Sequence, residues 1–269
     1  NYYLKKMYKI SVCHPTCRPE TARITREKWL DLSKNPDSIE HLTCIDSYQI
    51  DKINKKKISK NITEFFFPCL NKKSVGVIPK LNFLSSIVTT NCIVTETDDV
   101  TPCKDWDYLI YNSTNWNNDV VMKIRDNGDL EDKDRPYMIR QTAVSRKRIQ
   151  KYGYFLHPNF YHVFADDFYS WLAHKDNVVI ENEKIEFYHD NPLYKNSTTR
   201  IDKFHNEAMN PEKNEKGKMI FLDLTLKSIT NNEIEKLIEE YTYSFKKRRT
   251  NINFVLTCVG IDVEKLLTN

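Results

Sequence analysis

Cys92-Ile93-Val94-Thr95-Glu96-Thr97-Asp98-Asp99-Val100-Thr101-Pro102 is a short β-branched run that ends in three carboxylates and a proline turn. A strand that delivers acidic side chains at its carboxyl end sets them at the rim of an α/β sheet, where such folds bind ligands. Carboxylates crowded there repel one another unless they share a cation. Hard oxygen ligands of this kind suit Mg²⁺ or Mn²⁺ carrying a phosphate-bearing substrate.

Upstream of this run, strand-like and helix-like segments alternate. Tyr8 to Cys13 reads as a first strand and Glu20 to Ser33 as a helix, with Ile24, Trp29, Leu30 and Leu32 at helical spacing. Leu42 to Ile45 is a second strand with Asp46 directly after it, Phe65 to Leu70 is apolar and aromatic, and Pro79 to Thr89 reads as a helix. The lysine-rich stretch Asp51 to Lys60 reads as a solvated loop or helix face. Such alternation predicts a layered, mostly parallel α/β sheet.

Downstream, Val120 to Ile124 and Tyr137 to Val144 read as strands, and Arg146 to Tyr152 as a short helix stopped by Gly153. Phe164 to His174 is a further helix with Asp166 and Asp167 in its first turn, and Val178 to Glu181 and Lys184 to His189 are strands. Asn196 to Lys218 is polar and aperiodic, the pattern of a linker or mobile loop. Met219 to Leu226 reads as a strand, Asn232 to Phe245 as a helix and Asn253 to Val259 as a strand. The expected organisation is therefore a main domain over 1–195, a linker or mobile loop over 196–218 and, over 219–269, a β-α-β element that is either an extension or the start of a further domain.

With 269 residues, 40% hydrophobic and 12% aromatic, the chain is globular and long enough for a sizeable core. A net charge of +4 permits an anionic substrate but does not by itself argue for nucleic acid. Cys13, Cys17, Cys44, Cys69, Cys92, Cys103 and Cys258 are odd in number and scattered, which predicts buried free thiols in a reducing, cytoplasmic compartment. Cys13 and Cys17 flank His14, yet no second Cys or His pair follows at zinc-site spacing. No apolar run reaches membrane-spanning length and no signal peptide is present; the chain starts at Asn1 without a Met, as a piece of something longer would.

Seven pieces occur in a fixed order. They are Ile10-Ser11-Val12-Cys13-His14-Pro15-Thr16-Cys17-Arg18; Asp46; Lys80-Leu81-Asn82; Thr95 to Pro102 with Trp106-Asp107; Gln141-Thr142-Ala143-Val144-Ser145-Arg146; Phe164-Ala165-Asp166-Asp167-Phe168; and Tyr188-His189-Asp190-Asn191-Pro192. Together, over about residues 8 to 195, they resemble the GT-A glycosyltransferases, the family-2-like enzymes in particular. The resemblance implies a GT-A-like, Rossmann-related sheet. It also implies metal-dependent, inverting transfer of a sugar from a nucleoside-diphosphate sugar to a hydroxyl of a carbohydrate, protein or other acceptor, with Mn²⁺ or Mg²⁺ as cofactor.

Carried over residue by residue, the resemblance puts Thr16, Arg18, Asp46, Lys80, Asn82 and Asp98 at the donor. Asp99 becomes the direct metal ligand, with Asp98 next to it on metal or ribose and His189 completing the shell. The acidic motif reads either as Glu96-x-Asp98 or as Asp98-Asp99, which keeps Glu96 among the metal candidates. Asp167 or Asp166 would be the base that takes the acceptor proton, although the family more often has Glu-Asp there. Each residue also has a plainer reading. The acidic turn caps a Lys104-to-Tyr111 helix, Asp166 and Asp167 complement a helix dipole, and Arg18 and Lys80 are surface cations. His14, His157 and His162 read as structural side chains.

Tyr152, Tyr154, Phe155, Phe160, Tyr161 and Phe164 read either as core or as stacking faces for a sugar. Lys246-Lys247-Arg248-Arg249 reads as a helix-terminal cation block. Rival readings are a nucleotidyltransferase, disfavoured by the absence of glycine after the first strand, and a non-catalytic nucleotide-sugar or carbohydrate-binding module. Nucleic acid as acceptor would require strongly salt-dependent duplex binding.

Overall fold

The computed structural model describes residues 9–69, 76–131, 135–192, 194, 197–198, 201, 206, 210–243 and 246–266. Ile10 to Thr16 form β1 (Ile10–Thr16), every residue of which is buried. It lies parallel to β2 (Ile39–Ser47) on one side and β5 (Cys92–Thr95) on the other, with Ile10 level with both Ile39 and Cys92. A strand covered on both faces reads as a continuous run of apolar and small residues, which is how this segment reads. The strand runs on through His14, Pro15 and Thr16, beyond the expected end at Cys13; the expected start at Tyr8 lies outside the described residues.

The nine-stranded sheet has the order β3-β4-β2-β1-β5-β8-β7-β9-β6. β4 (Ile62–Pro68) extends it in parallel beyond β2, and β3 (Asn54–Lys57) closes that edge antiparallel to β4. The lysine-rich segment is therefore partly an edge strand rather than a loop or helix face, and Lys55, Lys56 and Lys57 are exposed on it. On the far side β8 (Gln141–Ser145) pairs antiparallel with β5 and with β7 (Val121–Asp126), and β9 (Val179–His189) runs parallel to β7. The last two residues of β9 pair with β6 (Val100–Thr101). Six of the nine strands point the same way, so the sheet is mostly parallel, as expected. The two late strands expected separately form one continuous β9 with a register shift opposite Lys123 to Arg125.

Helices cover both faces. On one, Trp29 of α1 (Pro19–Asp31) and Trp106 and Ile110 of α3 (Trp106–Tyr111) pack on Ile10, Val12, Val94 and Phe187. On the other, α2 (Val77–Ile87), α5 (Arg146–Tyr152) and α6 (Ala165–Lys175) bury Leu84, Ile149 and Ala173 against Cys13, Ile93 and Val144. A single turn, α4 (Gly128–Glu131), follows β7. Gly153 ends α5 in the left-handed region at φ 78, where a side chain would be strained.

From β1 the chain moves to β2 on one side, and α2 carries it back to β5 on the other. The strand order thus reverses between β1 and β5, and ligands of open α/β sheets bind in the crevice at the carboxyl ends of such strands. Trp29 fixes the acidic turn that leaves β5. Its indole Nε1 donates to the Val100 carbonyl at 2.8 Å, and Thr25 Oγ1 donates to the Asp98 carbonyl at 2.9 Å.

The tail corrects the expectation. Instead of β-α-β, residues 219–226 lie within α7 (Pro211–Lys227), which is followed by α8 (Asn231–Tyr243), α9 (Lys246–Cys258) and α10 (Val263–Leu266). Eight of the residues expected to be linker, Pro211 to Lys218, belong to α7 as well. Short apolar runs do not distinguish strand from helix by periodicity. What decides is the spacing of buried Gly217, Phe221 and Thr225 and the Asn210 cap, whose Oδ1 accepts from the Glu212 and Lys213 amides. Phe221, Phe254 and Val255 then pack with Phe168, Trp171 and Leu172 of α6 in one hydrophobic cluster.

Gly217 approaches the segment before α6 so closely that a Cβ there would sit 2.9 Å from the Val163 carbonyl oxygen and 3.2 Å from Phe164 Cδ2. Gly-to-Ala inside a helix ordinarily gains about 1 kcal/mol. Here we expect Gly217→Ala to destabilise the fold by about 1–3 kcal/mol through overpacking against main chain. Denaturant midpoints check this, and a rise in stability would show that the contact yields freely.

Candidate active site

Thr16 ends β1 at the reversal point, and its side chain meets the acidic turn from β5. Thr16 Oγ1 donates to Asp98 Oδ2 at 2.9 Å, His14 Nε2 lies 2.9 Å from Asp98 Oδ1, and Arg18 lies 3.4 Å from Oδ2. Behind Asp98 the contacts continue inward. His14 Nδ1 is 2.9 Å from Glu96 Oε1, and Glu96 Oε2 is 2.7 Å from His41 Nε2, all three side chains having no exposure.

Burial alone would discharge His14, but the Glu96 and Asp98 carboxylates outweigh it and raise its pKa to about 9. Burial would likewise raise Glu96, yet the two histidines hold it down at about 2. For His41 burial wins over Glu96, and the ring titrates below the ordinary value. The result is a buried alternation of carboxylate and imidazolium running from Glu96 through His14 to Asp98.

Among the described residues, His14, His41 and Glu96 are the group of His, Cys, Asp and Glu side chains whose ligand atoms lie within 4.8 Å of one another. Their mutual contacts of 2.7 and 2.9 Å close the group on itself. Glu96 thus spends both oxygens on histidines, and His14, read from the sequence as an ordinary structural residue, bears directly on Asp98. His41 was not singled out in the sequence. Its position in β2, level with Val12 of β1, is the tertiary fact that a linear reading lacks.

Lys80 is buried in α2, its Nζ donating to the Thr16 carbonyl at 2.7 Å and to Asp46 Oδ1 at 3.0 Å. It braces the ends of β1 and β2. Asp46 Oδ2 is buried with no hydrogen-bond partner among the described residues. Asn82 is occupied elsewhere. Its Oδ1 accepts from the Phe155 and Leu156 amides at 2.9 Å each, and its Nδ2 donates to the Leu156 carbonyl at 2.7 Å. It fixes the loop after α5.

A second group forms where β6 pairs with β9. Val100 is level with His189, and the Asp190 amide donates to the Asp99 carbonyl at 2.8 Å. This pairing brings His189 Nε2 to 3.4 Å from Asp99 Oδ2, while Thr97 Oγ1 donates to Asp99 Oδ1 at 2.9 Å. On its other side His189 Nδ1 lies 3.6 Å from Asp126 Oδ2, at the end of β7. Burial would lower the His189 pKa, but Asp126 and Asp99 raise it to about 9. Asp99 is held below its ordinary value, the pull of His189 and Thr97 exceeding the effect of burial.

The donor set suits a divalent ion. A carboxylate oxygen and an imidazole nitrogen 3.4 Å apart are close to the ~3 Å that neighbouring ligands at ~2.1 Å from one octahedral ion require. Asp126 was missed in the sequence, where Arg125-Asp126-Asn127-Gly128 looks like an unremarkable polar turn. Its signal was its place directly after an apolar strand, the same cue that singled out Asp98 and Asp99.

Asp166 and Asp167 occupy the first turn of α6, as expected. Burial, then the neighbouring Asp166, push the Asp167 carboxyl up to about 7, partly opposed by Arg135 at 3.6 Å. The residue before the helix, Phe164, is held at φ 66, a left-handed conformation that costs a non-glycine residue about 1–2 kcal/mol. Of the aromatic run, Phe155 and Phe160 are core, Tyr152 bonds Asp176 under the Arg148 guanidinium, and Tyr161 is exposed.

No family model matches the sequence, and no curated protein matches it. Solved structures do. Residues 1–349 of S. aureus TarS in complex with UDP-GlcNAc align with a TM-score of 0.62 at 12% identity, over 96% of this chain and 83% of that one. A second structure of the same TarS segment gives 0.59 at 11% identity over the same shares of both chains. Against a longer TarS structure the score is 0.56 at 11% identity, over 96% of this chain and 50% of that one. Strand order, reversal point and acidic rim agree with this likeness: the chain has the GT-A fold of glycosyltransferases.

Proposed function

We propose that the protein is a metal-dependent glycosyltransferase that moves a sugar from a nucleoside-diphosphate sugar to an acceptor hydroxyl with inversion. The observation that carries the reading is the meeting of Asp99 and His189 across the β6–β9 pair, 3.4 Å apart, at the carboxyl edge of the sheet. Those two residues would hold Mn²⁺ or Mg²⁺, which when bound neutralises charge developing on the departing diphosphate. TarS, whose fold this chain shares, binds UDP-GlcNAc, which supports a nucleotide-sugar donor.

The chain's own groups divide the remaining work. Asp46 Oδ2, unpartnered among the described residues, would accept a hydrogen bond from the base or ribose once the end of β2 admits the donor. Thr16, His14 and Arg18 fix Asp98 so that it meets the ribose or the metal without searching rotamers. Arg18, partly exposed beside Asp98, offers the phosphates a guanidinium. Lys80 acts through Asp46, and Asn82 through the loop it pins. Asp167 is the base that removes the proton of the attacking hydroxyl, and a pKa near 7 suits that task at neutral pH. No Gly-rich phosphate loop follows β1, which favours attack at the anomeric carbon over attack at the α-phosphate. Seven free cysteines support a reducing, cytoplasmic setting. Among the described residues no helix is long and apolar enough to cross a membrane.

A thermal-shift and hydrolysis screen of UDP-, GDP-, CMP- and dTDP-sugars with and without Mn²⁺ tests the site. One donor should raise the melting temperature only when metal is present, and Asp99→Asn should abolish that rise. Tight nucleotide binding indifferent to metal would instead identify a binding module.

Asp167→Asn should keep the metal-dependent shift and lose about 10²- to 10⁴-fold in kcat. The sign of the pH dependence follows from the base being active when deprotonated. In the wild type kcat/KM should rise with pH through about 7 and then level off. A profile flat from pH 5 to 9 would exclude Asp167 as the base.

A further inference from the structure

We propose that Asp126 is a positioning residue that sets the orientation and tautomer of His189, drawing Nδ1–H toward its own carboxylate so that Nε2, once a metal ion displaces its proton, is the nitrogen presented beside Asp99. The inference rests on reading Asp99 and His189 as metal ligands, and adds to it a residue that touches neither metal nor substrate.

Asp126 closes β7 with its side chain 1% exposed, and neither of its carboxylate oxygens has a hydrogen-bond partner among the described residues. A carboxylate removed from water costs several kcal/mol unless something compensates it. The compensation at hand is the His189 ring, whose Nδ1 is also buried and unpartnered, 3.6 Å from Asp126 Oδ2.

The next residue grips the same histidine by its main chain. Asn127 Oδ1 accepts from the His189 amide at 2.6 Å, and Asn127 Nδ2 donates to the His189 carbonyl at 3.0 Å. Tyr194 lies edge-on to the ring with centroids 5.5 Å apart, and Gly128 admits no Cβ because Tyr194 Oη and Asp126 Oδ1 fill that space. His189 is thus fixed at its backbone by Asn127 and bounded at its ring by Asp126, Tyr194 and Asp99. A neutral imidazole carries one N–H, and the hydrogen bond at one nitrogen decides whether the other is available to a metal. With Asp126 at Nδ1, the available nitrogen is the one beside Asp99.

Two measurements test this. In wild-type protein labelled with ¹⁵N-histidine and loaded with Mg²⁺ and UDP, two-bond ¹⁵N–¹H spectra should show His189 neutral and protonated on Nδ1. An Nε2–H tautomer overturns the proposal, and this experiment needs no variant to fold. Mn²⁺ affinity, titrated by electron paramagnetic resonance on variants with native circular dichroism, should fall about 10- to 100-fold in Asp126→Asn. The fall should be similar in His189→Ala, and no larger in the double variant than in His189→Ala alone.

Wild-type affinity in Asp126→Asn with a weakened His189→Ala overturns the positioning role and spares the ligand assignment. A further tenfold loss in the double variant makes Asp126 a direct ligand and overturns the role too. Unchanged affinity in His189→Ala overturns the ligand reading itself, and this proposal with it.

Discussion

The site depends on charge carried inward from its rim. Asp98 is tied to His14, His14 to Glu96 and Glu96 to His41, with the last three shut off from water. Taking such groups out of solvent costs several kcal/mol per ion, and alternation of sign is what makes the arrangement tolerable. Its return is geometric. β1, β2 and β5 are fixed in register by the ladder and, at their carboxyl ends, by ionic contacts that leave Asp98 little freedom. Removing one member would strand a buried charge, at a cost of about 3–5 kcal/mol.

Around this fixed centre the two halves of the candidate site are built differently. In the proposed reading the donor side is made by neighbouring parallel strands, with Thr16 and Asp46 at the ends of β1 and β2 and Asp98 in the turn that leaves β5. Its metal edge requires one long-range pairing, β6 with β9, because Asp99 and His189 are far apart in sequence. The proposed acceptor side hangs on α6, whose first turn carries Asp167 and which packs with α7 and α9.

Much of this was legible in the residues. The β-branched run ending in carboxylates placed β5 and its acidic turn, and the Asp pair opening an apolar helical stripe placed α6. Tyr188-His189 before Pro192 pointed to the strand end where His189 lies. Other features depended on what lies across the sheet. Nothing linear distinguishes His14 and His41 from ordinary core histidines until β1 and β2 are aligned. Lys80 and Asn82 matched a donor motif, yet one braces Asp46 and the other holds the loop after α5. In the tail, Met219 to Leu226 and Asn253 to Val259 have strand-like composition, but Gly217, Phe221 and Thr225 are buried at a spacing of four, Phe254, Val255 and Leu256 are buried in succession among neighbouring helices, and tertiary packing overrides local preference.

The close seating of Gly217 on the main chain at Val163 and Phe164 reaches beyond packing. It ties the first turn of α6, which carries Asp166 and Asp167, to a helix more than forty residues further along. In the proposed reading, a shift of that helix would move the base relative to the acceptor hydroxyl, while the contacts around Asp98 and Asp99 lie on other elements.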